Sequence, residues 1–248
     1  MDNNIIVVPN VFDDFYFNAN AIESIRYACK KWNCNFFELK KFMHVSHKIK
    51  NGVTSNRFWM MKYFIDFDNV LILDPDVVVN SKSPNIFDEL KGFDFAAVHN
   101  SNPTRKTTYD HMQSVNNLLS NIGIEILSKN FNNFDKKKYY EMCVNGGVFL
   151  FNPKSVKPII DNIIDIVEKN EEVEKILHSE WIFIQNLISA ALSCSNLKIK
   201  ILNDTWNWIA PDINLEWDLF CGPMHSNIYH FTGTAGSKDS MKMFYKWK

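Results

Sequence analysis

The stretch Val70-Leu71-Ile72-Leu73-Asp74-Pro75-Asp76 decides the fold prediction, because an uninterrupted apolar run meets two carboxylates there. A short run of Val, Leu and Ile is typical of a strand that is buried on both faces of a sheet. Asp74 and Asp76 then stand where this strand ends. In open α/β sheets ligands bind beyond the carboxyl ends of the strands, so the two aspartates are candidate ligand-binding groups.

Strand and helix patterns alternate on both sides of this run. Residues 4–8 and 36–39 predict two strands, joined by a helix that a capping Asn20 would begin. Further strands are predicted at 95–98, 144–151, 198–202 and 228–231, and further helices at 55–67, 156–167 and 180–192. The alternation indicates an α/β/α sandwich with a mainly parallel central sheet and right-handed crossovers.

Length and composition favour one soluble domain spanning residues 1–248. A chain of this length buries about three quarters of its unfolded surface, and its formal net charge of −1 gives no basic field for a nucleic-acid partner. Five cysteines without a CxxC pair indicate reduced thiols. No leader pattern and no apolar run of the roughly 20 residues that span a bilayer occurs. These features predict a cytoplasmic protein without a transmembrane segment.

Asp74 and Asp76 can offer carboxylate oxygens to one hard cation, either Mn²⁺ or Mg²⁺. Such an ion would bind a diphosphate and offset the charge that develops on a leaving nucleoside diphosphate. Two other interpretations stay open. The aspartates can form a turn and cap a helix near Ser83, or they can be the nucleophile and the acid–base group of a haloacid-dehalogenase-type phosphatase.

Several motifs follow one another in a recognisable order along the chain. They are Arg57, the Asp74-Pro75-Asp76 segment, Asn145-Gly146-Gly147, the stretch 202–207 and His230-Phe231-Thr232-Gly233. In this order they resemble glycosyltransferase family 8, the family of glycogenin and bacterial lipopolysaccharide galactosyltransferases. The resemblance spans almost the whole chain except residues 100–142. It implies the GT-A fold, a UDP-linked hexose donor, a glycan or glycoprotein acceptor, and transfer with retention.

The same resemblance implies roles for individual residues. The metal ligands would be Asp74, Asp76 and His230. The donor sugar would contact Arg57, Asn145, Gly146, Gly147, Glu180 and Trp181, among which Asn145 and Glu180 are the catalytic candidates. The nucleotide would contact Pro9, Asn10, Tyr16, Asp74, Asp76, Gly233 and Lys238.

The chain departs from the family pattern at two places. Glu180-Trp181 stands where the family has Asp-Gln, which leaves retention or inversion open; in an inverting enzyme Glu180 would be the base. Lys238 lies farther from His230 than the family's lysine, so Lys242 is its alternative. Residues 100–142 are expected at the periphery, on the acceptor side. A non-catalytic carbohydrate-binding module and a homodimer are further alternatives.

Overall fold

The structure, a computed structural model, describes residues 2–10, 15–40, 60–100, 124–173, 183–209 and 226–231. The strands in these residues are β1 (Asn4–Pro9), β2 (Asn35–Leu39), β3 (Asn69–Leu73), β4 (Val77–Val79), β5 (Phe95–His99), β6 (Val144–Phe151), β7 (Ile199–Leu202), β8 (Trp208–Ile209) and β9 (Ile228–His230). The helices that concern the site and the core are α1 (Phe15–Trp32), α2 (Ile124–Asn130), α3 (Lys136–Glu141), α4 (Pro153–Lys169) and α5 (Phe183–Ser193).

A six-stranded sheet with the order β2-β1-β3-β6-β5-β7 forms the centre of the fold. The pairs β1–β2, β1–β3 and β5–β7 are parallel, whereas β6 runs antiparallel to both of its neighbours, β3 and β5. The predicted mainly parallel sheet is confirmed, and β7 lies at an edge as expected. Each predicted strand is present, with ends that shift by a residue at most.

The sheet is apolar on both faces because helices cover both. Ile5 and Ile72 join a buried cluster with residues of α4 and α5, whereas Ile6 and Leu71 join a second cluster with residues of α1. Successive side chains of a strand point to opposite faces, so both clusters draw on the same strands. Burial of each such side chain stabilises the fold by about 1.5–3 kcal/mol. The predicted α/β/α sandwich is therefore confirmed.

A second, smaller sheet lies beyond the carboxyl end of β3. Its order is β4-β9-β8, with β4 antiparallel and β8 parallel to β9. The Oγ atom of Ser24 in α1 accepts a hydrogen bond from Val79 N–H at 3.0 Å, which ties this sheet to the helix. The sequence predicted β9 but neither β4, which directly follows the turn of the two aspartates, nor β8, which has only two residues.

Two helix predictions were wrong at their ends. Helix α1 begins at Phe15, so Asn20 lies inside it rather than at its cap. An interior Asn costs a helix only several tenths of a kcal/mol, so a capping residue alone does not fix a helix start. Residues 61–68 form turns and bends instead of helix, with Tyr63 N–H bonded to the Met60 carbonyl and Phe67 N–H to that of Phe64.

The described part of the 100–142 segment is less peripheral than predicted. Leu127 of α2 and Tyr139 of α3 are buried in the cluster beneath the sheet, and the Tyr139 hydroxyl donates to Asn186 Oδ1 at 2.6 Å. Residues 101–123 lie outside the described residues. Within the described helices, none has the length and apolar character needed to cross a bilayer.

Candidate metal centre

The two aspartates lie in a tight turn that joins the large sheet to the small one. Val77 N–H donates to the Asp74 carbonyl at 3.3 Å, which closes a four-residue turn with Pro75 second. Asp in the first position and Pro in the second are the residues that such turns favour, since proline presets the backbone angle. Asp74 N–H donates to the Gly147 carbonyl at 3.1 Å, which anchors the turn to β6.

His230 reaches the aspartates because β9 pairs with β4. In that antiparallel pair His230 is opposite Val77, and Phe231 N–H donates to the Asp76 carbonyl at 2.9 Å. The His230 Nε2 atom lies 3.5 Å from Asp74 Oδ2 and 3.3 Å from Asp76 Oδ1. His230, the third predicted metal ligand, is thus brought next to the two aspartates, although it is far from them in sequence.

The geometry of this group fits a divalent cation. One ligand atom from each of the three residues lies within 4.8 Å of the others. Neighbouring corners of an octahedron with bonds of about 2.1 Å are about 3 Å apart, close to the two distances from His230. Asp74 and His230 are each only 4% exposed. Asp76 Oδ1 is a buried atom that makes no hydrogen bond within the described residues, as expected of an oxygen placed to bind a metal.

Gly147 leaves room for the histidine ring. A Cβ atom at this position would lie 2.5 Å from both Cε1 and Nδ1 of His230 and 3.1 Å from Asn145 Oδ1. Contacts of 2.5 Å are far inside van der Waals separation, so any side chain here would displace the ring. At this glycine the structure shows a close approach by the imidazole.

Three side-chain amides form a hydrogen-bonded series that ends at Nδ1 of the histidine, the ring nitrogen that does not face the aspartates. Asn145 Oδ1 accepts hydrogen bonds from Gly147 N–H at 2.9 Å and from Asn207 Nδ2 at 2.7 Å. Asn207 Oδ1 lies 3.0 Å from His230 Nδ1. On its other side, Asn145 Nδ2 donates to Asn100 Oδ1 at 3.1 Å. Asn145, a predicted sugar-binding residue, therefore contacts Asn207, which in turn bonds His230.

Helix α5 holds the start of β6 in position. Gln185 Oε1 accepts from Gly146 N–H at 3.0 Å, and Ser189 Oγ accepts from Val144 N–H at 3.1 Å. These acceptors are needed because the β5–β6 pairing has an irregularity here, where the register shifts between Ala97 and His99. Polar side chains of the helix thus accept from the backbone of β6 next to this irregularity.

The thiol next to this segment is not a metal ligand of the group. Burial raises the pKa of Cys143 to about 11, while hydrogen bonds with Asn100 and Ser189 act in the opposite direction. The thiol therefore keeps its proton at neutral pH, and its sulfur is not among the ligand atoms that lie within 4.8 Å of one another. The cation-binding group described above contains only carboxylates and imidazole.

The remaining predicted residues fall into two sets. Pro9 ends β1, and continuing the β1–β3 register by two residues places it level with Asp74. The Asn10 side chain donates to Glu38 Oε1 at 2.8 Å, and Tyr16 belongs to α1. The predicted residues outside the described part of the chain are Arg57, Glu180, Trp181, Gly233 and Lys238.

Sequence reasoning assigned no role to three residues that hold the site. They are Asn207 behind His230, Gln185 behind Gly146, and Asn100 behind Asn145. Asn207 ends the 202–207 stretch, and Gln185 stands five positions after Glu180, so each lies in or near a segment that carries the resemblance. Their contacts depend on how distant segments pack, which a single sequence does not reveal.

Comparison with known proteins shows that the fold is that of glycosyltransferases. No family model and no curated protein sequence matches the chain. Among solved structures, a glycosyltransferase involved in glycosylation of the major capsid of PBCV-1 is 13% identical, with a TM-score of 0.54; 97% of this chain and 99% of that chain are covered. The galactosyltransferase LgtC, in complex with donor and acceptor sugar analogues, is 15% identical, also with a TM-score of 0.54 and with 98% and 94% covered.

A third similar structure is larger than this chain. The glycosyltransferase GlyE of Streptococcus pneumoniae TIGR4 is 13% identical with a TM-score of 0.52, and the match covers 98% of this chain but 60% of that one. Identities this low establish the fold, and function must be argued from the site. The predicted glycosyltransferase fold is thereby confirmed.

Proposed function

We propose that the chain is a metal-dependent glycosyltransferase that moves a hexose from a UDP-sugar to a glycan or protein acceptor, with retention. The observation that carries the proposal is the convergence of Asp74, Asp76 and His230 at the carboxyl end of β3, within a fold shared with glycosyltransferases. When bound there, Mn²⁺ or Mg²⁺ would act as a Lewis acid that offsets charge on the departing diphosphate.

The residues of the chain supply the ligands and a water-poor setting for them. The carboxylates of Asp74 and Asp76 provide negative charge, and the His230 imidazole provides a neutral nitrogen. The low exposure of Asp74 and His230 strengthens their electrostatic interaction with a cation, since little water screens it. Three ligands of this kind leave further coordination positions for the oxygens of a diphosphate.

The nucleoside is proposed to lie across the ends of β1 and β3. Pro9 is level with Asp74 in the parallel register, and Asn10 follows it. A ligand that contacts both strand ends would therefore bridge from the base-binding side to the metal. On this proposal Pro9, Asn10 and Tyr16 contact the nucleotide, with Gly233 and Lys238 as further predicted nucleotide contacts.

The sugar and acceptor sides stay predictions. Arg57, Gly146, Gly147, Glu180 and Trp181 are the predicted donor-sugar contacts, with Glu180 and Asn145 as catalytic candidates. The acceptor is predicted to contact residues 100–142. Since Leu127 and Tyr139 belong to the core, removing that whole segment would unfold the protein rather than test the acceptor role.

The proposal is tested by thermal unfolding with nucleotides and nucleotide sugars, with and without Mn²⁺, and by an assay of hexose transfer to oligosaccharides. UDP at 100 times its Kd is expected to stabilise the fold by about 2.7 kcal/mol, or roughly 5–10 °C in Tm, only when Mn²⁺ is present. Asp76→Asn should abolish this response because it removes a metal ligand.

Asp88→Asn is the matched control, since Asp88 is an exposed carboxylate that pairs with Lys91 away from the site. It should respond to UDP and Mn²⁺ as the wild type does. A response to free sugars without nucleotide or metal would instead establish a carbohydrate-binding module. Hydrolysis of a simple phosphate ester that depends on Asp74 would establish the phosphatase.

A further inference from the structure

The side-chain amide of Asn207 is buried between the strands that form the site. Asn207 is only 1% exposed and lies between Asn145 and His230, with one amide atom facing each of them. A buried amide must satisfy both its donor and its acceptor, because an unsatisfied polar group costs about 1–3 kcal/mol. Its orientation is therefore determined by what its two neighbours can offer.

The orientation of Asn145 is fixed first. Gly147 N–H can only donate, and the Asn145 side-chain atom 2.9 Å away must therefore be the oxygen. The nitrogen of the same amide lies 3.1 Å from Asn100 Oδ1, which is consistent with this assignment. Asn145 thus presents an acceptor to Asn207.

The orientation of Asn207 and the proton on His230 follow from that acceptor. The Asn207 atom 2.7 Å from Asn145 Oδ1 must be its NH₂ group, so its oxygen faces His230 Nδ1 at 3.0 Å. An amide oxygen only accepts, and Nδ1 must carry the proton. In the neutral ring the lone pair is then on Nε2, the atom that faces Asp74 and Asp76 at 3.5 and 3.3 Å.

We infer that Asn207 is a positioning residue that holds the Nδ1–H tautomer of His230, so that Nε2 is kept available as a metal ligand. This inference rests on the metal site of the proposed function. A hydrogen bond from the second ring nitrogen is known to fix both tautomer and ring orientation of ligating histidines, and its loss typically weakens metal binding 10–100-fold. Here the series of hydrogen bonds begins at Gly147 N–H. This backbone group is always a donor, whatever the side chains around it do.

The decisive measurement is the tautomer of His230 in metal-free protein. Long-range ¹H–¹⁵N correlation spectra of histidine-labelled protein, recorded at a pH where the ring is neutral, report which nitrogen carries the proton; His230→Gln assigns the signal. The wild type should show Nδ1–H, because the Asn207 oxygen accepts from this nitrogen. Asn207→Leu should lose that preference. An Nε2–H ring in the wild type would overturn the inference.

Mn²⁺ titration by calorimetry provides the second readout. Asn207→Leu is expected to weaken Mn²⁺ binding about 10–100-fold, while circular dichroism shows that it stays folded. Asn227→Ala is the control, because the Asn227 side chain bonds Thr205 in the same region and does not bond His230. Equal Mn²⁺ affinity in wild type and Asn207→Leu would contradict the inference, whereas failure of the wild type to bind Mn²⁺ would contradict the proposed function instead.

Discussion

Gly147 and Gly92 need to be glycine for different physical reasons. Gly92 has φ +82°, a backbone conformation that costs other residues about 1–2 kcal/mol, but a Cβ atom there meets no other group within 4 Å. At Gly147 the conflict is steric, because the Cβ position is occupied by the His230 ring. Gly92 allows a turn with positive φ, whereas Gly147 leaves room for the His230 ring at the candidate metal centre.

Gly147→Ala is therefore expected to weaken Mn²⁺ binding about tenfold or more, since the displaced ring no longer presents Nε2 to the carboxylates. Overpacking should also lower the free energy of unfolding by about 1–3 kcal/mol. Gly92→Ala should lower it by a similar amount through backbone strain and leave the Mn²⁺ affinity unchanged. Urea unfolding and calorimetry on both variants check this. An equal loss of Mn²⁺ affinity in the two would show that instability alone weakens the site.

Side-chain chemistry predicted two of the residues of the candidate metal centre, Asp74 and Asp76, but not the groups that orient His230. Asp74 and Asp76 follow a recognisable strand, and the pair itself suggests a cation. His230 could be predicted only through its motif, because its approach depends on the β4–β9 pairing. Asn207 has no local signal, since its function exists only once Asn145 and His230 are on either side of it.

Helix α5 stabilises the site through polar side chains on its buried face. Gln185 and Ser189 are one helical turn apart and accept from the backbone of Gly146 and Val144. Ser193, one further turn along, is also buried, but its Oγ bonds the Ala190 carbonyl within its own helix. The helix thus carries two chemically identical serines, of which only the first contacts β6.

Ser189→Ala and Ser193→Ala form a matched pair. Ser189→Ala leaves the buried Val144 N–H without its acceptor, so the free energy of unfolding should fall by about 1–3 kcal/mol. Ser193→Ala removes bonds to the Ala190 carbonyl, which keeps the Cys194 N–H as a donor, and to the neighbouring Cys194 Sγ. It should change the free energy of unfolding by about 0.5 kcal/mol. Urea denaturation of the two variants measures the difference. Equal effects would mean that α5 supports β6 by apolar packing and not by these hydrogen bonds.

Elements with long, regular patterns could be predicted, whereas their partners in pairing could not. Strands β1, β3, β5 and β6 were recognisable because each is apolar on both faces. The antiparallel direction of β6 could not be predicted, because its apolar run looks the same in either orientation. Strands β4 and β8 both pair with β9, a partner that neither of their sequences reveals.

The candidate metal centre takes its residues from both sheets. Asp74 follows β3 of the large sheet, whereas His230 belongs to β9 of the small one, and the turn between β3 and β4 is one covalent link between the sheets, with the segment between β7 and β8 as another. A cation held by both residues must be released before the two sheets can separate at this point. Metal binding should therefore suppress local openings of the small sheet in particular, because an open form cannot bind the ion.

Hydrogen exchange with mass spectrometry tests this coupling. With Mn²⁺ at ten times its Kd, openings that break the site become about tenfold rarer, so amides of Val77–Val79 and 228–231 should exchange about tenfold more slowly than with EDTA. Amides of β2, at the far edge of the large sheet, should be almost unchanged, because their opening leaves the three ligands together. In Asp76→Asn, Mn²⁺ should slow the exchange of neither set of amides. Equal slowing in both sheets would mean that the ion is released only when the whole chain unfolds, and that the two sheets open together.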